Sequence, residues 1–165
     1  MTTSAPHQHG HGDHALGACR ILVVDDEQAM QVLASTILKK LGHHPHAVGS
    51  GEEAIEVFRA ASQDRRPFSL IIMDLALPGG ISGLETTILN KQIDPRVRVI
   101  VSSGYLEHNA RAAALEYGFA GILPKPYTAE RMSSELRFVL KHRESERPDA
   151  AQVENHSAPP PGFAG

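Results

Sequence analysis

The sequence predicts an α/β fold, a five-stranded parallel sheet doubly wound by five helices, and three observations lead there. Short apolar runs alternate with segments of helical period. Capping and stop signals fall between them. Acidic residues stand at the ends of two of the apolar runs. The runs, at 21–24, 46–48, 70–73, 97–101 and 121–123, read as strands joined by helical crossovers.

Each helix has its own signal. Met30, Leu33, Ile37 and Leu41 recur at helical spacing, and Gly42 stands where a left-handed C-terminal residue is needed. Ser50 and Glu53 have the spacing of a capping box, in which hydroxyl and carboxylate each satisfy a free amide of the first turn; Ala54, Val57 and Phe58 follow. Ser82 and Glu85 repeat the device ahead of Ile88 and Leu89, and Asp94-Pro95 stops this third helix. A fourth helix is expected over 110–117, ended by Gly118. Thr128 begins a fifth, with Met132, Leu136, Val139 and Leu140 inward.

The flanks differ in composition. Residues 1–18 carry His7, His9, His11 and His14 among Gly, Ser, Thr and Pro, with too few large apolar side chains to bury, and residues 144–165 turn to Glu, Arg, Pro, Asp and Ala. Both read as disordered tails around a folded unit at 19–143. The clustered imidazoles suit Ni, Cu or Zn, although a flexible histidine-rich tail with weak adventitious affinity is the favoured reading. His43, His44 and His46 fit a turn and an edge strand and receive no role. Cys19 fits a small apolar residue at the start of the first strand.

With 165 residues, 41% of them hydrophobic, the chain suits one core. A formal net charge of -3 provides no basic field for nucleic acid or anionic lipid. The single cysteine cannot form an internal disulfide, no apolar run reaches the roughly 18 residues a membrane span needs, and no apolar core of a secretory signal stands at the N-terminus. A cytoplasmic location is the expectation.

The chemistry collects at strand ends. The first strand runs into Asp25-Asp26-Glu27 and the third into Asp74, and open α/β sheets place their sites at the carboxyl ends of strands. In the flavodoxin-like strand order 2-1-3-4-5, the first and third strands are neighbours, and Asp25, Asp26 and Asp74 share one crevice. Carboxylates about 4 Å apart repel by about 4 kcal/mol per pair at an effective dielectric near 20, so three of them need compensation. A hard divalent cation with oxygen ligands, Mg²⁺ or Mn²⁺, supplies it and can bridge to phosphoryl oxygens. Ser103, ending the fourth strand, offers a hydroxyl, and Lys125, ending the fifth, a fixed positive charge. A phosphorylated Asp74, carrying about -1.5 to -2 charges and three acceptor oxygens, requires such donors.

Each residue taken alone has a plainer reading. Asp-Asp-Glu after a strand suits the positive end of a helix dipole, Lys125 suits a solvated surface and Ser103 suits a turn before Gly104. Their coincidence at the right strand ends favours a site.

Taken together, Val23-Val24-Asp25-Asp26-Glu27, Ile72-Met73-Asp74-Leu75-Ala76-Leu77-Pro78, Val101-Ser102-Ser103-Gly104-Tyr105 and Leu123-Pro124-Lys125-Pro126-Tyr127 resemble, in order and spacing, the response-regulator receiver domain of two-component signalling, over roughly 20–142. The 78–83 stretch has one residue more than the usual loop and, with Ser-Ser-Gly-Tyr, is most similar to receivers of hybrid sensor histidine kinases. The resemblance implies that Asp74 takes a phosphoryl group from the phosphohistidine of a histidine kinase or histidine phosphotransfer protein. It also implies that Asp26, Asp74 and the backbone carbonyl of Ala76 ligate the cation while Asp25 assists. Ser103 and Lys125 would move toward the phosphoryl group and reshape the face of the fourth helix, fifth strand and fifth helix. Receivers commonly carry an aromatic residue three before the lysine, where this chain has Ile122. Tyr105 is the candidate substitute, with an ordinary loop tyrosine as the alternative.

The expected function is therefore a stand-alone phosphoacceptor in a phosphorelay, signalling through protein contacts, with at most an intrinsic autophosphatase activity and a weak phosphorylation-dependent dimer as one form of output. Direct nucleic-acid or membrane binding is not expected, and nothing after the fifth helix is long enough for a DNA-binding domain. Four other classes compete: a phosphorylation-independent interaction module; an Asp-nucleophile phosphatase, which needs an Asp-x-Asp where this chain reads Asp26-Glu27-Gln28; a flavin-binding protein, whose first loop needs Ser, Thr and Gly amides in place of an acidic pair; and metal binding by the histidine-rich tail as the main function.

Overall fold

A computed structural model of the chain describes residues 17–104 and 114–145. Its five strands are β1 (Arg20–Val24), β2 (His44–Val48), β3 (Leu70–Asp74), β4 (Arg98–Ser103) and β5 (Gly121–Pro124). All pair in parallel, in the order β2-β1-β3-β4-β5, so the expected sheet and strand order are found. The described helices are α1 (Gln28–Lys40), α2 (Gly51–Gln63), α3 (Gly83–Ile93) and α4 (Ala129–Ser145). Most of the helix expected over 110–117 lies outside the described residues. Where description resumes, residues 114–116 are helical and Gly118 has φ +78°, so α4 corresponds to the fifth expected helix. It runs two residues past the boundary expected at 143.

The double winding follows from the pleat. Successive strand residues point to opposite faces, so Ile21 and Val23 join Leu38 of α1 and Met132 and Leu136 of α4 in one core, while Leu22 and Val24 join Ala54 and Phe58 of α2 in the other. All five residues of β3 are buried, as a central parallel strand requires. β2 alternates exposed and covered residues and carries Pro45 at the edge, where a missing N–H is tolerated.

The helix starts follow the predicted devices with one difference. Ser82 and Glu85 complete a capping box, and Thr128 Oγ1 accepts from Arg131 N at 3.2 Å. At α2 only half of the box forms. Ser50 Oγ accepts from Glu53 N at 3.2 Å, but the Glu53 carboxylate accepts from Gly49 N, one residue further out.

α3 departs further from expectation. Its inner face is Gly83, Thr86, Thr87 and Asn90, while Leu84, Ile88 and Leu89 are exposed. The threonine hydroxyls donate to Ser82 O and Gly83 O at 2.8 Å, and this internal pairing lets them sit inside. Asn90 is fully buried, and neither polar atom of its side chain has a partner among the described residues.

Candidate functional site

Three segments at the carboxyl ends of β1, β3 and β5 bring the candidate residues together. Asp25 directly follows β1, Asp74 ends β3 and Lys125 follows β5. Asp25 and Asp74 are 1% and 4% exposed, whereas Asp26 is exposed. Each buried carboxylate is fixed by a turn at one oxygen: Asp25 Oδ1 accepts from Glu27 N at 3.0 Å, and Asp74 Oδ1 from Ala76 N at 2.9 Å. The other oxygens converge on the lysine, with Lys125 Nζ 2.7 Å from Asp25 Oδ2 and 2.6 Å from Asp74 Oδ2. Glu27 Oε1 lies 3.7 Å from the same nitrogen. Burial alone would lower the lysine pKa, but its hydrogen bonds to Asp25 and Asp74 and their charges outweigh burial and hold it above the ordinary value.

A close approach lies behind Asp74. A Cβ on Gly83 would stand 2.1 Å from the Asp74 carbonyl oxygen, so only glycine lets α3 begin directly behind the end of β3. On the loop before α3, Ile81 N donates to the exposed Glu52 of α2 at 3.0 Å, a bond that lowers the Glu52 carboxyl pKa.

Oxygen atoms from Asp25, Asp26 and Asp74 all lie within 4.8 Å of one another. Ligands of an octahedral ion with bonds of about 2.1 Å are about 3 to 4 Å apart, so a small contraction brings this set onto a divalent cation. The donors are all hard oxygens, as Mg²⁺ or Mn²⁺ prefers, and Lys125 offsets the charge of only one carboxylate of the three. These residues fit such an ion.

Ser103 ends β4 half-buried, one residue beyond Ser102, the register partner of Asp74, and its carbonyl accepts from Lys125 N at 2.9 Å. Ile122 lies half-buried in β5, packed against the α2-side core, with its N–H donated to Glu135 Oε1 at 2.9 Å. Ala76 is exposed on the loop after Asp74. Tyr105 and the four tail histidines lie outside the described residues.

One participant escaped the sequence reading. Tyr127 is buried, with its phenol oxygen 2.6 Å from Ser102 Oγ and 3.5 Å from Asp25 Oδ2. Burial, opposed by the Ser102 hydrogen bond and reinforced by the Asp25 charge, pushes its pKa up to about 12. The available signal was its place two residues after the lysine, which reads equally well as a core aromatic.

Comparison with known proteins bears on this geometry. The family model of the response regulator receiver domain matches residues 21–137. The transcriptional activator protein ExaE of Pseudomonas putida is 37% identical over 148 residues, 88% of this chain and 65% of that protein. The transcription factor SKN7 of Chaetomium thermophilum is 29% identical over 123 residues, 74% of this chain and 16% of that protein. The chain thus spans less than two thirds of either relative. Among solved structures, the Vibrio cholerae chemotaxis protein CheY4 superposes with a TM-score of 0.63 at 22% identity, covering 74% of this chain and 99% of that one, a likeness of fold. Among the described residues, no helix is long and apolar enough to cross a membrane.

Proposed function

The chain belongs to the response regulator receiver domain family of two-component signalling, and from that premise we propose that it is a switch that accepts a phosphoryl group on Asp74. The observation that carries this reading is the buried Asp74 carboxylate, fixed at Oδ1 by Ala76 N and faced at Oδ2 by Lys125, with two more carboxylates beside it. A carboxylate so placed is a nucleophile with a cation already at hand to steady the charge it acquires.

In this reading a histidine kinase or histidine phosphotransfer protein presents a phosphohistidine. An Asp74 oxygen attacks phosphorus, the P–N bond breaks and the imidazole leaves with the electron pair, giving an acyl phosphate. Asp25, Asp26, Asp74 and the Ala76 carbonyl would hold Mg²⁺ or Mn²⁺, whose chemistry is to neutralise charge on the phosphoryl oxygens. Lys125 exchanges its carboxylate partner for a phosphoryl oxygen, and the Ser103 hydroxyl takes another. Water attack on the same phosphorus resets the switch, a slow autophosphatase reaction rather than turnover of a substrate. Output passes through protein contacts in the cytoplasm, without direct nucleic-acid binding by this domain.

The test is incubation with acetyl phosphate, with and without Mg²⁺, followed by intact-mass measurement. One phosphoryl group should be gained with Mg²⁺ only, and none by the nearly isosteric Asp74→Asn. Asp26→Ala should need more Mg²⁺, having lost an anionic ligand. Full labelling of Asp74→Asn overturns the assignment.

A further inference from the structure

The crevice contains a polar chain that phosphoryl acceptance by Asp74 leaves unused. Ser102 is 1% exposed, on a strand whose neighbours Val99, Ile100 and Val101 are all core residues, and Tyr127 is 5% exposed. Two hydroxyls buried against each other add little to stability, since replacing both by apolar groups of similar shape is nearly neutral. Their third contact, with Asp25, is what an Ala and a Phe could not supply.

Proton accounting fixes the direction of the chain. A carboxylate has no proton to donate, so the contact between Tyr127 and Asp25 Oδ2 is a hydrogen bond only if the phenol donates. The phenol has one proton. The 2.6 Å contact with Ser102 is then a hydrogen bond only if Ser102 donates to the phenol oxygen. Ser102 to Tyr127 to Asp25 is the single consistent order. At 3.5 Å the last link is long for a hydroxyl on a carboxylate, because Lys125 Nζ already stands 2.7 Å from the same oxygen.

We propose that Tyr127 is a positioning residue for the cation site: oriented by Ser102, its phenol holds the Asp25 carboxylate in place, most of all once Lys125 leaves Asp25. The inference rests on the cation-assisted reading above and adds a specific residue to it. Asp25 Oδ1 keeps its bond from Glu27 N, so a phenol on Oδ2 fixes the carboxylate at both ends. Outer-shell partners of this kind hold a ligand's orientation ready for the ion.

The measurement is calorimetric titration with Mg²⁺ of the wild type, Tyr127→Phe, Ser102→Ala and the double variant, with melting temperatures recorded without Mg²⁺. Tyr127→Phe keeps the ring and should raise the Mg²⁺ dissociation constant about tenfold. Ser102→Ala should move it in the same direction, and the double variant should bind no more weakly than Tyr127→Phe alone, as expected of groups acting in one chain. In acetyl phosphate labelling, the half-saturating Mg²⁺ concentration should rise while the rate at saturating Mg²⁺ stays near the wild-type value. A Tyr127→Phe protein that binds Mg²⁺ like the wild type, whatever its melting temperature, overturns the positioning role and leaves the receiver reading intact. A wild type that binds no Mg²⁺ overturns the cation reading and this inference with it.

Discussion

At the scale of single residues, the arrangement is a competition for one ammonium group. Lys125 stands within 2.7 Å of oxygens on two buried carboxylates, and a divalent cation would draw on those same carboxylates. Lys125→Met should therefore tighten Mg²⁺ binding by about tenfold or more, since a unit charge about 4 Å away is worth several kcal/mol at an effective dielectric near 20. Without Mg²⁺ the same variant should lose about 3 kcal/mol of stability, because the buried acids lose their partner. Calorimetry and urea denaturation read the two effects. Asp25, Asp26, Asp74 and Lys125 were legible in the sequence because each stands just where an apolar run stops. The Tyr127 phenol was not. Which way its O–H points depends on β4 lying beside both β3 and β5, a long-range fact that no local pattern contains.

At the scale of elements, α3 shows where local pattern fails. Its capping box is written plainly in Ser82 and Glu85, and it forms. Its inner face is not written plainly, because the apolar residues Leu84, Ile88 and Leu89 lie outward and two threonines and an asparagine lie inward. The threonines satisfy themselves on their own helix. Asn90 does not, and a buried amide without partners costs about 1–3 kcal/mol. Asn90→Leu should accordingly raise stability by about 1 kcal/mol, read as a higher urea midpoint with an unchanged slope. A lower midpoint would show that the larger side chain overfills the space. Strand positions were legible to within one or two residues, which is the ordinary uncertainty of element ends.

At the scale of the whole molecule, the junction between α1 and β2 ties stability to pH. His43 is buried, and its Nδ1 accepts from Cys19 N at 3.3 Å, which requires a neutral ring. Burial and then the neighbouring His44 lower its pKa from 6.5. The unfolded chain thus takes up a proton that the folded one refuses. The contribution is fully present above the unfolded value near 6.5 and is lost as pH falls toward the lowered folded value. Between about pH 7.5 and about pH 5.5 the urea midpoint should fall further in the wild type than in His43→Gln, which does not titrate. An equal fall in both would place the pH dependence elsewhere. The alternation of apolar runs and helical segments made the layered architecture legible, and the strand order came from the commonest arrangement of five such units, whereas an imidazole turned inward at an edge strand looked, in sequence, like any polar turn residue.

The site also draws on residues far apart in the chain. Asp25 and Asp74 lie in the first half of the chain, but the ammonium that reconciles them is 51 residues beyond Asp74, at the far edge of the sheet. Up to the end of β4 the chain holds the two acids without the lysine that pairs with both. Domains fold as units, and here the last strand leads into the counter-charge for the ends of the first and third. A chain cut short before β5 would thus leave Asp25 and Asp74 to be balanced by a bound cation alone.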